Sequence, residues 1–133
     1  MRIVMDTNVL VSAFGWDGNE RAGLLETLSG EHDLLISADI ITEFIHVFSH
    51  KKFSHIPVEK ICHFLEILME TSILIDVQTR ISIVKDDPED DRILECAVDG
   101  NADYIVSGDK HLLDLKVHKG IGILNARSFL EMV

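Results

Sequence analysis

Apolar and polar residues fall in blocks along this chain, and the period of each block points to the element it forms. Ile3-Val4-Met5 is an unbroken apolar run that stops on Asp6. A short run with no polar alternation is the pattern of a strand covered on both faces. Leu34-Leu35-Ile36, Ile73-Leu74-Ile75 with Val77, Tyr104-Ile105-Val106 and Ile121-Gly122-Ile123-Leu124 repeat it, so with Arg2–Met5 five strands are expected. Between them the apolar positions recur at helical spacing. Asn8–Phe14 reads as a short helix broken at Gly15 and Gly18, and Asn19 as the N-cap of a helix Glu20–Ser29 closed by Gly30. Ser37 caps a helix of roughly Ala38–His50 with the stripe Ile40, Ile41, Phe44, Val47 and Phe48. Pro57 opens another that runs to about Thr71, with Ile61, Phe64, Leu65 and Leu68 on one side. The stretch Asp86–Asp91 starts a further helix, with Asp87 as N-cap, Pro88 as first residue and an end near Gly100. Arg127–Met132 is the last. Strands alternating with helices imply an α/β fold whose parallel sheet is covered on both faces. Gly15–Asn19 and Lys51–His55 are expected to be mobile loops.

Composition narrows the class. The chain has 133 residues, the size of one domain (1–133), and 47% of them are hydrophobic, enough for a full core. No apolar run is long enough to span a bilayer. No basic stretch precedes a long apolar one, so neither a membrane segment nor a signal peptide is expected, and the location implied is cytoplasmic. Cys62 and Cys96 fit free buried thiols of a reducing compartment, and no Cys/His spacing resembles a zinc site. The net charge of −11 argues against a protein that grips nucleic acid through a general basic surface. It leaves room for one that holds phosphate through bound cations.

That distinction depends on where the acids lie. In an open parallel sheet, ligands bind beyond the carboxyl ends of the strands, where the strand order reverses. Asp6 follows the first strand and Asp109 follows the fourth. Asp90, in the first turn of its helix, shares the i, i+3, i+4, i+7 face with Ile93, Leu94 and Ala97. Glu43 lies in the helix that leaves the second strand, beside Phe44 and Val47. Each acid alone has an ordinary explanation: Asp90 can complement the helix dipole, Glu43 can be a solvated helix residue and Asp109 a turn aspartate. Asp6 is the hardest to explain away, because a carboxylate so close to a buried strand is costly without a partner. Together the four can meet at one edge of the sheet. Their mutual repulsion would force one or more to take up a proton, unless a divalent cation that prefers oxygen ligands, Mg²⁺ or Mn²⁺, relieves it.

The stretches IVMDTNVLVSA, ISADIITEF, DPEDDRILECA and ADYIVSGDKHLL, in this order, resemble the PIN domain family of small metal-dependent ribonucleases. They come close to its group of VapC-like toxins from toxin–antitoxin pairs. The resemblance covers nearly the whole chain. It implies a three-layer α/β/α fold with a mostly parallel five-stranded sheet, often dimeric, and an endonuclease that hydrolyses RNA phosphodiesters with Mg²⁺ or Mn²⁺. By the motif, Asp6, Glu43, Asp90 and Asp109 match the family's acidic quartet, as catalytic residues and metal ligands. The third acid is uncertain by one position, Asp90 or Asp91, and Asp91 and Glu95 are possible additional ligands. Thr7, Asn8 and Ser107 occupy supporting polar positions. Lys51, Lys52, Arg21, Arg92 and Lys110 are candidate RNA contacts. An antitoxin protein and a second copy of the chain are the implied partners.

Two other readings compete. A haloacid-dehalogenase-like phosphatase also places its nucleophile after the first strand, and Asp109, Asp114 and Lys85 can mimic its later motifs. Asn8 then stands where that family's general acid should be, and Glu43 and Asp90 have no role. The other alternative is a PIN module that binds RNA or protein and does not cut.

Overall fold

The structure, a computed structural model, describes residues 1–84 and 87–133. Lys85 and Asp86 lie outside the described residues, and with them the phosphatase-like lysine and the first acid of the Asp86–Asp91 run. The strands are β1 (Arg2–Met5), β2 (Asp33–Ser37), β3 (Ser72–Ile75), β4 (Tyr104–Val106), β5 (Val117–His118) and β6 (Ile121–Leu124). The helices are α1 (Thr7–Gly15), α2 (Asn19–Thr27), α3 (Ala38–Phe48), α4 (Val58–Thr71), α5 (Pro88–Asp99), α6 (Lys110–Leu113) and α7 (Ala126–Met132). The sheet order is β3-β2-β1-β4-β6-β5, and every pairing is parallel except β5 with β6. The expected fold class is therefore present, with one strand more than the apolar runs imply. β5 is two residues long and enters as the first arm of a hairpin, and so short a segment leaves no periodic signal.

Burial follows from the apolar runs. Ile3, Val4, Leu34, Leu35, Ile105 and Val106 are all buried, because helices cover both faces of the central strands. α1, α2 and α7 pack together, while α5 lies against β1, β2 and β4 and touches α3. α5 passes close over β2 at its end: a Cβ on Gly100 would come within 2.8 Å of Leu35 Cδ1 and 2.9 Å of the Cys96 carbonyl. Ser37 caps α3, its hydroxyl accepting from the Ile40 N–H at 3.3 Å. Asp87 caps α5 ahead of Pro88, accepting from the Glu89 N–H at 3.3 Å. Both are the caps the sequence implies. Residues 51–53, in a stretch expected to be a loop, form a turn of 3₁₀ helix. Cys96 is buried and Cys62 is exposed, so only one of the two thiols expected in the core is there.

Residues 76–84, after β3, form no strand, and α5 supplies their hydrogen-bond acceptors instead. Asp99 accepts from the N–H groups of Gln78 (2.6 Å) and Thr79 (2.8 Å). Glu95 accepts from Ile81 N–H at 2.8 Å, and Asp91 from Ile83 N–H at 3.0 Å and Val84 N–H at 2.9 Å. These three acids are spaced i, i+4, i+8, so one face of the helix reads along an extended strap. Glu95 is fully buried, and its charge is met by Arg80 at 3.1 Å and Arg92 at 2.9 Å. A buried carboxylate is tolerable when every lone pair is engaged in this way.

Both bonds to Asp91 reach the same oxygen, Oδ1. Asp91→Asn can keep both bonds through its amide oxygen and should unfold within about 1 kcal/mol of the native protein. Asp91→Ala leaves two amides without a partner and should lose about 2–4 kcal/mol. Urea-induced unfolding of the two variants checks this.

Candidate metal centre

The strand order turns at β1. β2 and β3 follow on one side of it, and β4, β6 and β5 on the other. The register Met5↔Val106 brings Asp6 beside Ser107 just past the strand ends, and the Asp6 N–H extends the ladder to the Val106 carbonyl at 2.9 Å. The buried Ser107 hydroxyl donates to Asp6 Oδ2 at 2.7 Å and accepts from the Asp109 N–H at 3.0 Å. One side chain thus ties the two strand-end acids together. Asp109 caps α6, its Oδ1 accepting from the His111 N–H at 2.7 Å, with the His111 ring Nδ1 at 3.5 Å.

Asp90 arrives from the start of α5. Its helical face carries Ile93, Leu94 and Ala97 into the core, and Asp90 itself is 4% exposed. Asp87, Asp90, Asp109 and His111 each offer a ligand atom, all within 4.8 Å of one another. Asp6 lies close enough to push up the pKa of Asp90. Glu43, half-buried on α3, faces Glu89 of α5 and feels Asp87. Thr7, Glu43, Glu89 and Arg92 share a cavity of about 200 Å³, while Asn8 and Asp109 line a neighbouring one.

The electrostatics of this cluster are those of too many negative charges in one place. Burial, then Asp6, Asp87 and Asp109, lift the Asp90 carboxyl to about 8. Burial raises Asp6 as well, against the opposing hydrogen bonds from Ser107 and the Asn8 amide. Glu43 is raised by burial and by Glu89. Asp90 Oδ2 is buried without any hydrogen-bond partner. An orphaned carboxylate oxygen surrounded by other carboxylates is what a hard divalent cation would satisfy. The residues present fit such an ion, with an imidazole at the rim.

Of the expected quartet, Asp6, Asp90 and Asp109 lie close together, and Glu43 stands beside them against Glu89. Asp91 and Glu95 do not join them: their oxygens face the strap of residues 78–84 and the two arginines. Of the two neighbours considered for the third position, Asp90 is the one in the cluster. Arg21 is tied to the end of α1, donating to the Ala13 and Phe14 carbonyls at 2.8 and 2.9 Å. Arg92 donates to Ile81 O and pairs with Glu95. Asp87 and His111 belong to the cluster, and the sequence pattern does not single them out as site residues. What signal they leave is the spacing Asp87-x-x-Asp90, which places that pair on one side of a helix start, while Asp109 and His111 meet because Asp109 caps the helix over the His111 N–H.

An acidic cluster where the strand order turns, beyond the carboxyl ends of the strands, occupies the place where open α/β sheets bind ligands. The sequence pattern of the PIN domain matches residues 2–111, and the chain belongs to that family. No curated protein matches it. Among solved structures it is similar to a chain of VapBC2 from Rickettsia felis, crystallised bound to a DNA fragment from their promoter. The two are 20% identical, with a TM-score of 0.65 over 94% of this chain and 98% of that one. The likeness concerns the fold. Of the residues the phosphatase alternative needs, Asp114 is exposed at the end of α6 and Lys85 lies outside the described residues. Among the described residues no helix is long and apolar enough to cross a membrane.

Asp90 holds its proton in the folded chain up to about pH 8, against an ordinary value of 3.8. Its contribution to stability is complete below about pH 4 and fades as pH rises through about 8. Metal-free protein should therefore lose melting temperature between pH 5 and pH 8, and Asp90→Asn should lose much less. Thermal unfolding in chelator at both pH values tests the sign.

Proposed function

We propose that this protein is a divalent-metal-dependent endoribonuclease, the toxin of a toxin–antitoxin pair. The observation that carries the proposal is the unpartnered, buried Asp90 oxygen amid Asp6, Asp87 and Asp109. Family membership supports it, as does the VapBC2-like fold. Asp6, Asp90 and Asp109, joined by Asp87, would hold Mg²⁺ or Mn²⁺, with His111 at the rim. A bound ion supplies Lewis acidity and charge neutralisation at a phosphodiester. Ser107 orients Asp6, and Thr7 and Asn8 open the helix that carries the chain away from it. Glu43, its carboxyl raised by burial and by Glu89, takes the proton that water loses as it attacks phosphorus. The leaving oxygen collects a proton from solvent. The protein works in the cytoplasm, as a homodimer in the free state and against an antitoxin when restrained.

Asp6→Asn should reduce Mn²⁺-dependent cleavage of a single-stranded RNA to background while leaving the circular dichroism spectrum unchanged. Cleavage that survives either this change or a chelator sinks the proposal. A non-cutting module would bind RNA and show no cleavage in any metal. Ser107→Ala removes an orienting bond and should weaken the apparent Mn²⁺ affinity by about tenfold or more, read from activity against metal concentration.

A further inference from the structure

A cavity of about 650 Å³ lies away from the acids, between the end of α1, the 51–57 turn and the start of α4. Its walls carry Phe14, Trp16, Phe48 and Phe53, with Lys52, His55 and Lys60 around them. No carboxylate lines it, in a chain whose net charge is −11. The arginines are engaged elsewhere: Arg2, Arg80, Arg92 and Arg127 are ion-paired, and Arg21 is bonded to carbonyls, whereas the described lysines form no ion pair. Lys52 and Lys60 form no ion pair within the described residues, and the Lys52 ammonium stands 5.1 Å from the centre of the Phe53 ring. The floor is rigid. Phe14, Phe44, Phe48, Phe53 and Phe64, five of the six phenylalanines, pack on one another edge-on, tilted or stacked at centroid distances of 5.0–5.5 Å. Trp16 stands at the cavity with 59% of its surface exposed.

An aromatic platform beside unpaired ammonium groups is complementary to an unstacked base and its flanking phosphates. The position suits a strand that reaches the acids. Along α1, Phe14 is about 12 Å from Asp6, and along α3, Phe48 is about 7 Å from Glu43. We propose that this cavity is a base-binding subsite for the single-stranded RNA, in which a nucleobase packs against Trp16 and Phe53 while Lys52 and Lys60 hold phosphates. The assignment of RNA as the ligand rests on the function proposed above. The subsite gives an acidic protein a local grip on a polyanion, displaced from the acids that would repel it.

Trp16 is the only tryptophan, so its fluorescence reports on this cavity alone. The test is a titration of the full chain with a short single-stranded oligoribonucleotide in chelator, where cutting is suppressed. The expected result is saturable quenching. The same RNA as a duplex, and an abasic strand of equal length, should quench little. Lys52→Ala with Lys60→Ala should weaken binding by about tenfold or more. It should also flatten the salt dependence by roughly 0.7 for each phosphate that no longer meets a lysine. The proposal is overturned if RNA leaves Trp16 unchanged, or if the double variant binds as the native chain does. It is equally overturned if a rise in protein concentration alone, or an aromatic acidic peptide in preference to RNA, produces the response, which would make the cavity an interface with protein. Binding without cleavage on adding Mn²⁺ removes the nuclease and keeps the subsite. Cleavage with a silent Trp16 does the reverse.

Discussion

Repulsion between carboxylates is the constraint around which this molecule is arranged. Asp6, Asp87, Asp90 and Asp109 are brought together by three separate parts of the chain, and at least one must stay protonated to coexist with the others in the absence of a cation. No flexible loop would hold them so. Asp6 is held by the β1–β4 register, Asp109 by the cap of α6, and Asp90 by a helix whose other face is in the core. The stability of the sheet and its helices is what keeps an intrinsically unfavourable group of charges in place.

α5 performs two opposite tasks with acids only one residue apart. Asp90 turns toward the cluster, where its Oδ2 lacks a partner. Asp91 turns the other way, into two amide bonds, and Glu95 and Asp99 continue that line. A rotation of about 100° per residue is all that separates them. The helix therefore acts as a partition between a region where negative charge is satisfied and one where it is not. The strap it binds is also what connects β3 to the helix start, so the satisfied side helps fix where the unsatisfied side begins.

Most of the fold is legible because it is written in apolar periodicity. β1, β4 and β6 occur at the residues expected, as do the caps Ser37 and Asp87. The short elements β5 and α6 are not legible, since two or four residues carry no period. That Asp6, Asp90 and Asp109 lie close together can be read from their positions after strands and on a helix face, while Glu43 faces Glu89 beside them. The true neighbours of Asp90 are harder. Asp87 looks complete as a cap, and nothing in a linear string says that a cap can also face a cluster. Asp91 and Glu95 look like surplus acids near the site, because their real partners are backbone N–H groups, and backbone groups have no letter in the sequence. The aromatic cavity is invisible for a different reason: its walls come from helix ends and a turn far apart in the chain, and phenylalanines at helical spacing read only as core.

The hydroxyl of Ser107 has a single hydrogen, and its direction is fixed by what surrounds it. The hydrogen points to Asp6, so toward Asp109 the oxygen can only receive. The two strand ends are thus wired in one sense, from the Asp109 amide through the oxygen to the Asp6 carboxylate. Turning that hydrogen toward another acceptor would release Asp6 while the oxygen kept its bond from the Asp109 amide, so the Asp6 end is the one a single hydroxyl rotation can free.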